Sequence, residues 1–390
     1  MFGSNMKEKR VIIKTLLILT GLLLILCIFS INNVSATTVK ELDNINVDSN
    51  KTVEINNTNA PKHVIAPKNY SISKKYAKTK GIETKRNTIK TKIGKKYTFI
   101  TKYFIPGTWK NGGKNGKTEY WHNCQSMAIK GKYIYIYTSA GYGSSKGFII
   151  RYDTKILDKY NKGKGLSKLR KLGICMKTGK KLTKEQKRIK KGIKIGKKFN
   201  GGHGQSLSYD PKTKSLWMWQ DNNYNSSNQK LMKISMKTLK PYLTYKFKAK
   251  LGKKYLKAFH NLAFDEKGNF YTDKTIKTKK NPLGYSYIFS GRFHNGKIQM
   301  KLLTKIKNRP GTYSQALAIN HKNNRIYLVS DGVIYSAPLT KLVKGTINMH
   351  DFRYSVFSTK REFEGLSFDN NGKAYLLLIR GSEILKSTAI

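Results

Sequence analysis

Hydrophobic and polar residues alternate in short runs from about residue 95 onward, and turns rich in Gly, Asn and Asp separate the runs. This period of two is typical of the strands of an all-β domain. Within it a short phrase recurs five times: a polar residue, a small residue, Leu or Met, a small residue, and an aromatic residue or Ile. The phrases begin at Gln125, Gln205, His260, Gln315 and Glu364, at intervals of 80, 55, 55 and 49 residues.

Each phrase is followed by a turn and by two further strand-like runs, and three repeats show a fourth run. The fifth repeat has only three runs, whereas an unassigned strand-like run, Lys96–Phe104, precedes the first repeat. A propeller closes when an N-terminal strand completes its last blade. The sequence therefore predicts a five-bladed β-propeller of four-stranded blades over residues 95–390, closed by pairing of Lys96–Phe104 with Glu383–Ser387. A solenoid or a sandwich is the alternative.

The first repeat is longer than the others because of a basic insertion at residues 155–198, which has a net charge of +16. We expect a short basic helix within Lys181–Gly192. Dense like charge is typical of a surface that binds polyanions. The candidates for this contact are Lys162, Lys164, Lys168, Arg170, Lys171, Lys187, Arg188, Lys190 and Lys191.

The N-terminal residues 1–36 have the features of a secretory signal peptide. Basic residues precede the apolar run Leu16–Ile31, and Val34-Ser35-Ala36 offers a cleavage site. An uncleaved membrane anchor is the alternative. Residues 37–94 are polar and basic, which predicts a flexible tether. Cleavage would leave Cys124 and Cys175 in an extracellular protein, where a disulfide between them and two unpaired thiols are both open.

The whole chain is strongly basic, with 77 Lys and Arg residues against 21 Asp and Glu residues and a net charge of +56. Such a charge predicts salt-sensitive adsorption to polyanions. For an exported protein, the expected partner is an anionic cell-wall polymer such as teichoic acid, or an anionic membrane surface. Tyr-rich loops suggest a glycan as a further ligand, and retention on the cell wall is an open alternative to release. Export argues against nucleic acid as a physiological partner.

The polar residue that opens each phrase has the same place in every repeat, so we expect a ring of five side chains at one mouth of a central channel. These five residues and His203, from Gly201-Gly202-His203-Gly204, are the ligand candidates. A purely structural ring that bonds neighbouring backbones is the alternative. No hydrolase, zinc-protease or phosphate-loop motif occurs, so no catalytic residue, metal or cofactor is predicted. Glu364 with His260 or His203 as acid and base is a minor alternative.

Several of these phrases, together with the secretory signal, resemble the helveticin J family of large, heat-labile bacteriocin-like proteins. The phrases are Gly201-Gly202-His203-Gly204-Gln205-Ser206, the hairpin Asp265–Tyr271, and Glu362-Phe363-Glu364-Gly365-Leu366. The resemblance implies a secreted, cationic, bacteriocin-like protein that binds the envelope of Gram-positive bacteria. The long tether, the basic insertion and the higher charge depart from the family. A secreted glycan-active enzyme and a non-toxic cell-surface adhesin are the alternatives.

Overall fold

In the computed structural model, the described residues are 37–56, 85–106, 123–140, 144–161, 163–222, 225–276, 284–307, 309–311 and 313–388. The predicted signal peptide and residues 57–84 of the predicted tether lie outside them. The strands in chain order are β1 Thr38–Glu41, β2 Ile45–Asn46, β3 Val53–Asn56, β4 Thr88–Gly94, β5 Thr98–Phe104, β6 Cys124–Lys130, β7 Tyr133–Ser139, β8 Lys146–Asp153, β9 Ile193–Ile195, β10 Phe199–Asn200, β11 Ser208–Asp210, β12 Ser215–Trp219, β13 Asn228–Ile234, β14 Pro241–Leu251, β15 Lys254–Tyr255, β16 Ala263–Phe264, β17 Phe270–Ile276, β18 Tyr285–His294, β19 Lys297–Lys307, β20 Ala316–Asn320, β21 Arg325–Ser330, β22 Val333–Pro338, β23 Arg353–Phe357, β24 Phe363–Phe368, β25 Ala374–Leu378 and β26 Glu383–Ser387.

The protein is all-β, and most of these strands form five antiparallel sets that follow the sequence repeats. In chain order the sets are β6–β7–β8, β11–β12–β13–β14, β16–β17–β18–β19, β20–β21–β22–β23 and β24–β25–β26. The first strand of each set lies beside the first strands of two other sets, and β24 lies beside β6. We call β6, β11, β16, β20 and β24 the inner strands. Their small residues, such as Ala128 and Ala318, are buried, because neighbouring strands approach closely there.

The predicted N-terminal strand pairs with the last strand of the chain. β5 runs antiparallel to β26, with Phe104 opposite Glu383 and Tyr103 opposite Ile384. The carboxylate of Glu383 is buried and accepts a hydrogen bond from Arg361 Nη1 at 2.7 Å and another from Thr101 Oγ1. Thr101 joins the two strands directly, and loss of Arg361 would leave the buried carboxylate of Glu383 without its cationic partner. β4 pairs with both β5 and β23, so the fourth and fifth sets share one nine-stranded sheet.

The prediction of a flexible tether over residues 37–94 is wrong for the described parts of that segment. β2 pairs in parallel with β14 and β3 pairs in parallel with β19, while β4 pairs with β23. Ile45, Ile55 and Ile89 are buried by these pairings. The physical reason is that β14, β19 and β23 would otherwise be edge strands, whose unpaired backbone groups favour pairing with another strand. The segment covers the outer edges of the second, third and fourth sets in turn.

The basic insertion folds into three helices: α1 Thr154–Tyr160, α2 Lys168–Thr178 and α3 Lys184–Lys190. The predicted short helix is α3, and Thr183 begins it through a capping box with Gln186. A 3₁₀ turn, Gly163–Ser167, lies between α1 and α2, and β9 and β10 then pair with β8 to complete the first set. One further helix, α4 Leu339–Lys344, follows β22.

Arg170 does not belong to the polyanion-binding surface for which it was predicted. Its side chain is fully buried, and it donates hydrogen bonds to the backbone oxygens of Ile105 and Ser382. The guanidinium also lies 4.9 Å from the ring centroid of Phe104. These contacts attach α2 to the last set from the inside.

The two cysteines of the described chain are free, which agrees with the alternative of two unpaired thiols and not with a disulfide. Cys124 is buried at the start of β6, where Thr138 Oγ1 lies 3.8 Å from its sulfur. Cys175 is on α2, and its sulfur lies 3.3 Å from Gln186 Nε2. Each thiol therefore packs in its own surroundings. Within the described ranges, no helix has the length and apolar character needed to cross a membrane.

Candidate active site

Three of the five predicted ring residues meet at the ends where the inner strands begin, which we call the polar mouth. Gln205 Nε2 donates to Gln315 Oε1 at 3.2 Å, to the backbone oxygen of Glu364 at 3.2 Å and to Glu364 Oε2. Gln125 is buried in a bulge at the start of β6. One amide thus connects three strand sets, as expected for side chains that share a repeat position.

His260 and His203 lie together at the same mouth, and a buried carboxylate orients one of them. His260 Nδ1 is 2.5 Å from Asp221 Oδ2, and the side chain of Asp221 is fully buried while that of His260 is 21% exposed. The two imidazole centroids are 5.3 Å apart. The side chain of Gln205 also affects the pKa of His203, so the histidines lie beside the ring.

The glycine-rich phrase before Gln205 places His203 by close backbone contacts. Gly202 and Gly204 have φ values of +71° and +85°, a region that side chains rarely adopt. A Cβ atom on Gly204 would lie 2.0 Å from Tyr137 Cε1. The amide of Gly204 donates to Asp221 Oδ1 at 3.0 Å. The loop therefore holds the same carboxylate that orients His260, which explains why the phrase needs glycine.

Burial changes the acidity of three side chains at the polar mouth. It raises the pKa of Glu364 well above the usual range, with the neighbouring Glu362 as a second cause. Burial also raises the pKa of Glu362 to about 7, although Arg380, which donates to this carboxylate, opposes the rise. Crowding by protein atoms, followed by repulsion from His260, lowers the pKa of His203, whose side chain still reaches solvent.

A second polar cluster lies beside this one, around Asn261. Asn261 Nδ2 donates to Asp273 Oδ1 and to Ser314 Oγ, both at 2.8 Å, and Ser314 Oγ donates to Asp273 Oδ2 at 2.6 Å. Three buried amide oxygens accept no hydrogen bond from the described residues: Gln125 Oε1, Gln205 Oε1 and Asn261 Oδ1. An unsatisfied buried acceptor costs about 1–3 kcal/mol. These oxygens leave the polar mouth with unmet hydrogen-bond capacity.

The sequence did not single out Asp221, Asp331, Glu362 or Arg380. Asp331 accepts from the backbone amide of Phe363 at 3.1 Å and lies 3.4 Å from Gln315 Nε2. A signal was present: Asp221, Asp331 and Arg380 each follow their phrase-opening residue by 16 positions. That offset is the length of one hairpin, because the second strand of each set returns to the mouth where the first one began.

The opposite ends of the inner strands enclose a cavity of about 490 Å³, which we call the open mouth. Its lining comes from all five inner strands and the turns after them, among them Ala128, Ser208, Ala263, Ala318 and Ser367. His321 is also part of this lining and is exposed. The turn residues Asp210, Asp265, Asn320 and Asp369 each accept a hydrogen bond from the backbone amide two positions on. These side-chain oxygens therefore stabilise the turns.

The remaining candidates for polyanion binding differ in the solvent exposure of their side chains. Lys171, Lys187, Arg188, Lys190 and Lys191 are exposed. Lys168 is half-buried and forms an ion pair of 2.6 Å with Glu185. Lys162 and the side chain of Lys164 lie outside the described part of the chain. Among the residues that the structure describes, no group of three or more His, Cys, Asp or Glu side chains is arranged to hold a metal ion.

No family model matches the sequence, and no curated protein matches it. Several solved structures are similar to this chain at low identity. A gluconolactonase from Xanthomonas campestris is 6% identical over 80% of this chain and 98% of its own, with a TM-score of 0.35. A streptogramin B lyase is 11% identical over 80% and 95%, with a TM-score of 0.33, and a glucose dehydrogenase is 10% identical over 66% and 77%, with a TM-score of 0.33.

Proposed function

We propose that the chain is an acid–base enzyme on a closed five-bladed propeller, and that it acts on a hydroxyl-rich substrate such as a glycan at the polar mouth. In this proposal the five strand sets are the blades. The cyclic order of the inner strands supports the blade count. The pairing of β5 with β26 supports closure, since it gives the fifth set its fourth strand.

The observation that carries the enzyme proposal is the contact of His260 with Asp221. A carboxylate only accepts hydrogen bonds, so His260 Nδ1 carries the proton and donates it to Asp221. This tautomer places the lone pair of the imidazole on Nε2, which is the arrangement of a general base held by a buried acid. His203 beside it has a lowered pKa and is neutral at physiological pH, so it adds no positive charge next to this pair.

The same mouth offers a proton donor and groups that suit hydroxyls. A carboxyl with a pKa of about 7, as Glu362 has, is partly protonated near neutral pH and can give its proton to a leaving oxygen. Buried Glu364 is neutral and can donate a hydrogen bond. The amide oxygens of Gln125, Gln205 and Asn261 lack donors in the described structure, and sugar hydroxyls supply donors.

The test is an assay of the purified protein, residues 37–390, on soluble glycans and on isolated Gram-positive walls. Reducing ends report hydrolysis, and the ultraviolet absorbance of unsaturated sugar ends reports elimination. We expect His260→Gln or Asp221→Asn to lower the rate on the order of 10²–10⁴-fold, the usual contribution of a general base. His321→Gln at the open mouth is the control and should leave the rate unchanged. Equal losses in the His260 and His321 variants would contradict the proposal.

A second candidate function is attachment to an anionic envelope, as the resemblance to the helveticin J family implies. The observation in its favour is the exposed basic face of the insertion, formed by Lys171 on α2, by Lys187, Arg188 and Lys190 on α3, and by Lys191. Exposed charges act over about 8–10 Å at physiological salt, so a dense group binds better than scattered charges. Teichoic acid and anionic lipid are the partners, and killing of the bound cell is the bacteriocin-like outcome.

Retention on teichoic-acid-bearing walls tests this second function. Reversal of these five residues to Glu should release the protein at a lower salt concentration than the unmodified chain. The matched control reverses five exposed lysines elsewhere, namely Lys253, Lys254, Lys297, Lys344 and Lys360. If both variants are released at the same salt concentration, overall charge and not the insertion determines binding. Viability of Gram-positive cells after addition of the protein separates a bacteriocin from an adhesin.

A further inference from the structure

A groove of about 480 Å³ lies on the outer part of the second and third strand sets, beside the open mouth, with which it shares the turns after β11 and β16. The turn after β11, together with β13 and β14, forms one side. The turn after β16 and the end of β18 form the other. The side chains used below are Lys40, Asp210, Lys212, Trp217, Lys233, Tyr245, Lys267, Arg292 and Phe293. Neither the acid–base site nor the basic insertion includes any of them.

Five cationic side chains converge on this groove: Lys40, Lys212, Lys233, Lys267 and Arg292. Among the described lining residues, Asp210 is the one acidic side chain, and its two oxygens already accept from the backbone amide of Lys212 at 3.0 Å and from a threonine hydroxyl. Like charges that face one space repel each other, and a bound anion relieves the repulsion. The charge of the groove therefore favours an anionic ligand.

Aromatic rings form the floor beneath these cations. Trp217 and Tyr245 are stacked, with centroids 6.1 Å apart, and Phe293 lies 5.3 Å from Trp217 and 4.9 Å from Tyr245. The ammonium of Lys233 sits 5.3 Å from the Trp217 centroid, which holds that charge by a cation–π contact. Tyr245 and Phe293 remain half-buried and offer ring surface to the C–H groups of a sugar or polyol.

A neighbouring groove shows that this charge is not a simple result of the basic composition. That groove has a volume of about 780 Å³ and also contains Arg292. Its lining includes three acidic side chains, from Glu41, Asp43 and Asp48, against three basic ones. Acidic residues are scarce in the whole chain, yet they line this groove and are nearly absent from the first.

We infer that the groove with the aromatic floor binds a chain of sugar or polyol units that carries phosphate or carboxylate groups. Lysine and arginine side chains would hold the anionic groups by charge-assisted hydrogen bonds. Single-stranded nucleic acid is the less suitable polyanion, because its bases need exposed rings for stacking and Trp217 is only 2% exposed. The inference stands apart from the acid–base site, and it places the polyanion contact on a different surface from α3.

The test measures binding by calorimetry at about 0.15 M salt, near physiological ionic strength. The probes are poly(glycerol phosphate), polygalacturonate, neutral dextran and an oligothymidylate. We expect the first or the second to bind and dextran not to bind. Replacing three groove lysines in Lys212→Gln/Lys233→Gln/Lys267→Gln should weaken the bound polyanion about tenfold or more, roughly the value of one good ionic contact.

The control triple, Lys253→Gln/Lys344→Gln/Lys360→Gln, removes the same charge at exposed positions outside both the groove and the insertion, and it should weaken binding less than about twofold. Equal weakening by the two triples would overturn the inference in favour of overall charge. Greater weakening by a third triple, Lys187→Gln/Lys190→Gln/Lys191→Gln, than by the groove triple would assign binding to the insertion and leave the second candidate function intact. Oligothymidylate that binds as tightly as the anionic glycans and responds to the groove triple would also overturn it. Lys233 contacts Trp217, so its replacement can also disturb the packing of the aromatic floor. The double variant Lys212→Gln/Lys267→Gln changes exposed side chains only and tests binding without that effect on the fold.

Discussion

The two mouths of the inner strands differ in almost every physical respect. The polar mouth is closely packed, and its carboxyl and imidazole groups contact one another across several strand sets. The open mouth has the void of about 490 Å³, and the carboxylate of Asp369 in its lining accepts a backbone hydrogen bond within its turn. Between the two mouths, cavity volume favours the open one. Acid–base catalysis requires side chains in contact whose pKa values are shifted, so the polar mouth is the better active-site candidate.

The largest contrast in stability should come from adding one methyl group near each mouth. Gly204→Ala places a Cβ against the Tyr137 ring at a backbone conformation of φ +85°, so we expect a loss of about 3 kcal/mol or more. Ser208→Ala, in the lining of the open mouth, should change the free energy of unfolding by less than about 0.5 kcal/mol. Urea unfolding measures both values. Similar losses would mean that the two mouths are equally packed.

Thiol reactivity offers a second way to compare the packing of the mouths. Cys124 is buried at the polar mouth, and burial raises its pKa from 9.0 to about 11. At one pH this shift alone reduces the reactive thiolate about 100-fold. In a Cys175→Ser background we expect Cys124 to react with a disulfide reagent at least that much more slowly than the thiol introduced by Ser367→Cys at the open mouth. A fast reaction of Cys124 in the folded protein would show that the polar mouth opens readily.

The smallest expected effect is a pH-dependent gain in stability from Glu364→Gln. Burial keeps the folded carboxyl neutral, whereas the unfolded one ionises above its usual pKa of 4.5. The stability that depends on this group is complete below that pH and is lost as pH rises toward the folded pKa. Glutamine does not titrate, so the variant should equal the wild type near about pH 4 and exceed it increasingly as the pH rises above the usual carboxyl pKa. A constant difference across this range would mean that Glu364 does not titrate between the two states.

Much of the strand order followed from the sequence because the inner phrase, its turn and the second strand are local patterns. The phrase at Gln315 and the hairpin after it appear as β20 and β21, with Asn320 in the expected turn. The N-terminal edge strands escaped prediction because β2 has two residues and β3 has four, too few to show a period. β4 does alternate, with Ile89 buried and Thr88 exposed, but its lysines obscured the pattern.

Less of the candidate site could be predicted, because it depends on contacts between repeats. The repeat position of Gln205 and Glu364 was visible, but the hydrogen bond between them spans 159 residues. Asp221 could be recognised only in the folded chain, where the hairpin places its carboxylate beside His260. Arg170 shows the opposite problem. In the sequence it is one of many basic residues of the insertion, and only the packing of α2 shows that its side chain is buried.

The pairing of β5 with β26 also constrains when the protein can fold. On the ribosome, β5 leaves the exit tunnel long before its partner, since about 280 residues separate them. Until β26 has been made, the fifth set lacks the strand that completes it and β5 has one unpaired edge. Contacts so distant in sequence form slowly, so we expect the chain to remain incompletely folded throughout synthesis. We therefore expect folding to depend on chaperones that cover the unpaired strands until β26 has been synthesised.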